Sequence, residues 1–148
     1  MATVEATTQK VQRMLVSQFG NVMLAEDGFA IEHGSTRVNV EIKEFGKDSD
    51  GNARSMVHLW APVGRGLKPS ADLFRWVATE ANQYNFGATT VVEGPDGKEC
   101  LVVFKHTLLG DFLDPDELEA GVAMVAFTAD ELDDLVRTKF GGKRYTDA

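Results

Sequence analysis

From residue 37 to residue 43, apolar and polar side chains alternate without a break. Val38, Val40 and Ile42 fall on one side; Arg37, Asn39, Glu41 and Lys43 fall on the other. A period of two is that of a strand, and a polar alternate row marks a strand buried on one face and wet on the other. Such strands build antiparallel sheets covered on one side, whereas parallel sheets need both faces covered. The alternation therefore predicts a mainly antiparallel sheet whose covering layer comes from elsewhere in the chain.

Helical periodicity supplies that layer. Val4, Val11, Leu15 and Phe19 recur at helical spacing with Met14 beside them, and Gly20 is a natural stop. Ser70 is a good N-cap for a second helix over 70–84, with Asp72 in the first turn and a stripe of Leu73, Phe74, Val77, Ala78, Ala81 and Tyr84. Asp114 and Pro115 open a third, whose stripe runs through Leu118, Val122, Val125, Ala129, Leu132, Val136 and Phe140 to Gly141 and Gly142. Thr128 and Glu131 have capping-box spacing, so this region is either one long helix or two that meet near Thr128.

Strands fill the intervals. Residues 29–31 lead through a turn at 33–36 into the strand at 37–45, and the loop 46–52 leads into a strand over 55–63. Residues 88–93 and 99–106 form a hairpin around GPDG. The order is α-β-β-β-α-β-β-α. The expected fold is α+β, a mainly antiparallel sheet of about five strands with helices, in one domain spanning residues 1–148.

The 148 residues carry a net charge of -8. Residues 111–134 alone hold nine acidic side chains and no Lys or Arg, so the rest of the chain nearly balances. Phosphate backbones need clustered Lys and Arg, yet only Lys143 and Arg144 are adjacent here, so a nucleic-acid partner is not expected. No apolar run approaches the ~20 residues that span a bilayer, and the N-terminus has no signal-peptide pattern; no membrane partner and a cytoplasmic location are expected. Cys100 is the single cysteine and falls in an apparent strand, which fits a buried structural thiol.

No catalytic signature stands out. DSDGN at 48–52 begins like a calcium loop, but the required Glu would fall at Leu59, inside a strand. His33, His58 and His106 have no paired ligand spacing, and there is no GxSxG. Neither a catalytic residue, a metal nor a cofactor is expected. The Gly-rich stretch 63–70 follows a strand and precedes a helix; Gly64, Arg65, Gly66 and Lys68 could hold an anion there, although the P-loop and the full GxGxxG patterns are both incomplete. Asp130, Glu131, Asp133 and Asp134 read as a solvated helix face, because neighbouring carboxylates on a helix diverge.

The strongest functional signal is apolarity on two faces at once. Over 56–61 one row is Val57, Leu59, Ala61 and the other is Met56, His58, Trp60; over 100–106 one row is Cys100, Val102, Phe104 and the other begins Leu101, Val103. Residues 120–129, AGVAMVAFTA, are apolar nearly all round. Both features call for cover on two sides, from another layer of the chain, a second subunit or a client peptide. Met56, His58, Trp60, Trp76, Met124 and Phe127 are the candidate partner-binding residues.

Three stretches carry a resemblance: NQYNFGATTVV at 82–92, TLLGDFLDPDELEAGV at 107–122 and TADELDDLVRTKFGG at 128–142. With the order of elements, they make the chain resemble the YbjN-like and class I type III secretion chaperone superfamily, and more narrowly its actinobacterial peptide-binding chaperone-like branch, over residues 4–142. The resemblance implies a non-enzymatic homodimer that holds a segment of another protein, without a cofactor. The acidic helix would favour a basic or amphipathic segment. Two other readings stay open: a binder of small anions or nucleotides, or an enzyme, using the 63–70 loop; and a structural dimer with no client.

Overall fold

The computed structural model describes residues 4–147. Its elements are α1 (Val4–Phe19), β1 (Met23–Ala25), β2 (Gly28–His33), β3 (Thr36–Lys47), β4 (Ala53–Leu67), α2 (Ala71–Ala78), a 3-10 turn (Glu80–Asn82), β5 (Ala88–Glu93), β6 (Cys100–Leu109) and α3 (Pro115–Phe140). The strands form one antiparallel sheet in the order β1-β2-β3-β4-β6-β5. The fold is α+β as expected, with six strands where about five were predicted. The added strand, β1, is three residues long and mostly exposed, too short for a period to show; pairing with β2 defines it.

The alternation at 37–43 falls as its chemistry requires. Val38, Val40 and Ile42 stand opposite Ile31, Leu59 and Val57 and are closed from solvent. They share one core with Ala61, Val102 and Phe104 of the sheet, Val11 and Leu15 of α1, Leu73 and Val77 of α2, and Val122, Val125, Leu132 and Val136 of α3. All three helices therefore contribute to a layer on a single face of the sheet. Among the described residues, no helix covers the opposite face.

The helix ends follow local chemistry. The Ser70 hydroxyl accepts the Leu73 N–H at 3.1 Å, and the Asp114 carboxylate accepts the Glu117 N–H at 2.8 Å with Pro115 next in line. α2 stops at Ala78, short of the expected residue 84, and the chain tightens into the 3-10 turn. α3 runs 26 residues without a break at Thr128, because Val125, Ala129, Leu132 and Val136 keep one stripe on the sheet past that point.

Two polar ties hold the layers in place. The Asp111 carboxylate accepts the Ser55 hydroxyl (2.8 Å) and N–H (3.2 Å) and meets Arg54 at 3.3 Å. Burial alone would raise Asp111, but these bonds outweigh it and hold the carboxyl below the usual range. The Ser35 hydroxyl lies 2.6 Å from Asp133 and 2.8 Å from Asp130, which joins the β2–β3 turn to α3. Burial pushes Asp133 up, opposed by the Ser35 bond and assisted by Asp134 and Asp130.

Candidate functional site

The crossover through α2 carries the chain past β6, so β5 lies at an edge of the sheet with only β6 beside it. In an antiparallel strand, alternate residues turn both main-chain groups to the same side. The Asn82 side chain identifies the free side of β5. Its amide donates to the Thr89 carbonyl at 3.0 Å and its oxygen accepts the Thr89 N–H at 2.6 Å. At the other end, the Gly94 N–H donates inward to Glu99 at 2.9 Å. By the same parity, Thr90 and Val92 turn inward to β6, while Val91 and Glu93 aim their N–H and C=O groups outward. Asn82 thus caps one step of the free edge and leaves the next two open.

A groove of about 760 Å³ runs along this edge, between β5 and α2. Phe74, Val77 and Ala78 of α2 form one wall, and Thr89 to Glu93 form the other, with Asn82 at the end. Phe74 and Val92 are exposed large apolar residues. The groove therefore combines apolar side-chain contacts with an unpaired main chain, which are the two things an extended peptide needs. Sequence reasoning identified the β5–β6 hairpin but did not single out Phe74, Asn82, Val91 or Val92. No local signal says which strand of a hairpin becomes the edge.

The six residues selected from sequence do not form one site. Met56, His58 and Trp60 make a half-buried row on the helix-free face of β4, opposite Leu109, Thr107 and Lys105. The Trp60 indole donates to Glu41 at 3.1 Å, and His58 lies 3.1 Å from the Thr107 hydroxyl. Burial, then Lys43, lowers His58 despite the pull of Glu41. Met124 and Phe127 lie across the sheet, on α3; Phe127 is exposed and stacks edge-on against His33 at 5.2 Å. Trp76 corrects the expectation of a surface anchor. It is 7% exposed, packs against Phe140 at 5.5 Å and belongs to the core.

The 63–70 stretch is also corrected. It is no loop as far as Leu67: β4 continues through Gly64, Arg65 and Gly66, and only 68–70 connect to α2. The Arg65 N–H and C=O are bonded to Lys143, both at 2.9 Å, and its guanidinium reaches the Arg144 and Asp147 carbonyls. Gly64 has a packing reason: a Cβ there would lie 2.6 Å from the Val136 side chain. The main-chain donor and the cation that an anion would use at Arg65 are therefore already engaged.

The remaining polar motifs are structural. The Asp48 carboxylate accepts the N–H groups of Asp50 and Asn52, both at 2.9 Å, and closes the β3–β4 turn. Among the described residues, no group of three or more His, Cys, Asp or Glu is placed to hold a metal. Cys100 is buried as expected, and burial, then Glu93, pushes its thiol up, away from reactive thiolate. No helix among the described residues is long and apolar enough to cross a membrane.

No curated protein matches the chain in sequence. Residues 5–148 match the family described as T3SS (YopN, CesT) and YbjN peptide-binding chaperone 1. That match spans all three helices and all six strands, including the open edge of β5, and the chain belongs to this family of peptide-binding chaperones.

Proposed function

We propose that this protein is a non-enzymatic, cytoplasmic, chaperone-like module that holds an extended segment of a client polypeptide against the free edge of β5. The observation that carries this reading is the outward main chain of Val91 and Glu93 in an apolar groove, beside a step that Asn82 already occupies. A client strand would satisfy those groups and seat alternate side chains against Phe74 and Val77. Membership of a peptide-binding chaperone family supports the same class of function.

Homodimerisation is part of the proposal. A second copy would cover the helix-free sheet face, where Met56, His58 and Trp60 stand beside Glu41, Lys43 and Lys105. Mixed charge on one face allows two copies related by a two-fold axis to meet with opposite signs opposed. A structural dimer without a client would share this face but would have no use for the open β5 edge.

Proline at position 91 tests the client site. The Val91 N–H points away from β6, so Val91→Pro removes a donor from the free edge and none from the ladder. A peptide selected on the wild-type protein from a random displayed library should bind Val91→Pro about tenfold or more weakly. The thermal midpoint should stay close to wild type. Equal peptide affinity for the two proteins would refute strand addition at β5.

A further inference from the structure

The apolar stretch 120–129 has one half in the core and one half outside it. Gly121, Val122, Val125, Ala126 and Ala129 are buried on the sheet side. Ala120 and Phe127 are exposed and Met124 is half-buried. Glu117, Ala120, Met124, Phe127 and Glu131 succeed one another at steps of three or four, so they form one stripe on the outer face of α3. The stripe is apolar in the middle and carries an exposed acid at each end. Neither Glu117 nor Glu131 takes part in a salt bridge found among the described residues.

Beside the N-terminal half of this stripe is a cavity of about 380 Å³, lined by Phe86, His106, Leu108, Ala120, Gly121 and Met124, with Glu117 also in its wall. Gly121 lets α3 sit close to the sheet: a Cβ there would lie 3.0 Å from Leu59 and 3.1 Å from Leu108. Phe86 is exposed and meets the His106 ring edge-on at 6.1 Å. Burial lowers His106, which favours its neutral form and so does not oppose a cationic guest.

We infer that this stripe docks a basic amphipathic helix of another protein. It inserts one large apolar side chain into the Phe86–Met124 cavity and sets a Lys or Arg against each of Glu117 and Glu131. The charge complementarity is local: the segment 111–134 holds nine acids and no base. The helical form follows from the wall chemistry. β6 is paired on both sides, to β4 and β5, so an extended guest would find no main-chain partner here. A helix satisfies its own backbone and needs only side-chain contacts. Glu117 and Glu131 lie about 21 Å apart along α3, at 1.5 Å per residue. A guest lying alongside would therefore carry its two cations about four turns apart with apolar residues between them.

The inference rests on the reading of the protein as a peptide-holding module but uses a surface separate from the β5 edge. The test is fluorescence anisotropy with a designed helical peptide of about 16 residues, Lys near each end and Leu and Phe on one face between them. A counterpart carries Glu in place of each Lys. Wild-type protein should bind the basic peptide at least about tenfold tighter than the acidic one, and added salt should narrow the gap. The double variant Glu117→Lys with Glu131→Lys should reverse the preference. Glu117→Gln with Glu131→Gln should abolish it without adding positive charge to the first turn of α3. Val91→Pro should leave basic-peptide binding unchanged. The inference is overturned if the basic peptide does not bind, if both peptides bind equally, or if Val91→Pro removes the binding. It is also overturned if the charge reversal changes only the oligomeric state in light scattering, because a second copy would then occupy the stripe. Equal strand-peptide affinity of wild type and Val91→Pro, with the charge preference intact, would reject the β5 reading and retain this one.

Discussion

Replacing Phe104 with alanine is expected to destabilise the protein by about 3–5 kcal/mol, the range for truncating a buried aromatic. Phe104 is fully buried on the helix-covered face of β6, opposite Ala61 and Thr89, and Tyr84 meets it edge-on at 5.7 Å. Truncation would leave a cavity under the connection that carries the chain from α2 into β5. Gly87 shows how tight that connection is, since a Cβ there would lie 2.5 Å from the Phe104 ring. Denaturant unfolding would measure the loss, which should be the same at every protein concentration because the contact lies within one chain. A loss below about 1 kcal/mol would mean that the sheet and helix layers close over the cavity.

Trp60→Ala should behave differently. Trp60 is half-buried on the helix-free face, held by its indole bond to Glu41, so the isolated protomer should lose little more than that bond, about 1 kcal/mol. The larger effect should fall on the dimer, with association weakened by about 2 kcal/mol or more, as for an aromatic hot spot. Unfolding of the wild type should then depend on protein concentration, and the variant should dissociate at concentrations where the wild type remains paired. Light scattering across a dilution series would show this directly. A loss of about 3–5 kcal/mol that is independent of concentration would assign Trp60 to the protomer core and remove it from any interface.

The sequence carries the layer arrangement well and the site poorly. Val38, Val40 and Ile42 show which row of β3 is covered because burial and strand period act on the same residues. Asp114 and Pro115 mark a helix start because a cap acts within one turn. The edge position of β5 is different: it depends on β6, not β5, entering beside β4, and no local pattern encodes that choice. Asn82 has no sequence signal as an edge cap, since its partner Thr89 is met only after the chain has turned. Gly64 and Gly66 made a strand resemble a loop, although Gly64 is there to admit Val136. Trp76 sits between Arg75 and Val77 in sequence, at the flank of the α2 stripe, and only its contact with Phe140 in space settles it in the core. Met124 is half-buried and Phe127 exposed on α3, outside the stripe that faces the sheet, as the all-round apolarity of residues 120–129 requires.

The open edge of β5 is tested most directly by amide hydrogen exchange, with and without a saturating peptide selected on the wild-type protein. Exchange resolved to single amides distinguishes a docked strand from side-chain contact alone. The account predicts that Val91 and Glu93, whose N–H groups face outward, gain protection when peptide binds. Thr89, already bonded to Asn82, and Thr90 and Val92, already turned to β6, should change little. Unchanged exchange at both Val91 and Glu93 under saturating peptide would contradict strand addition at this edge.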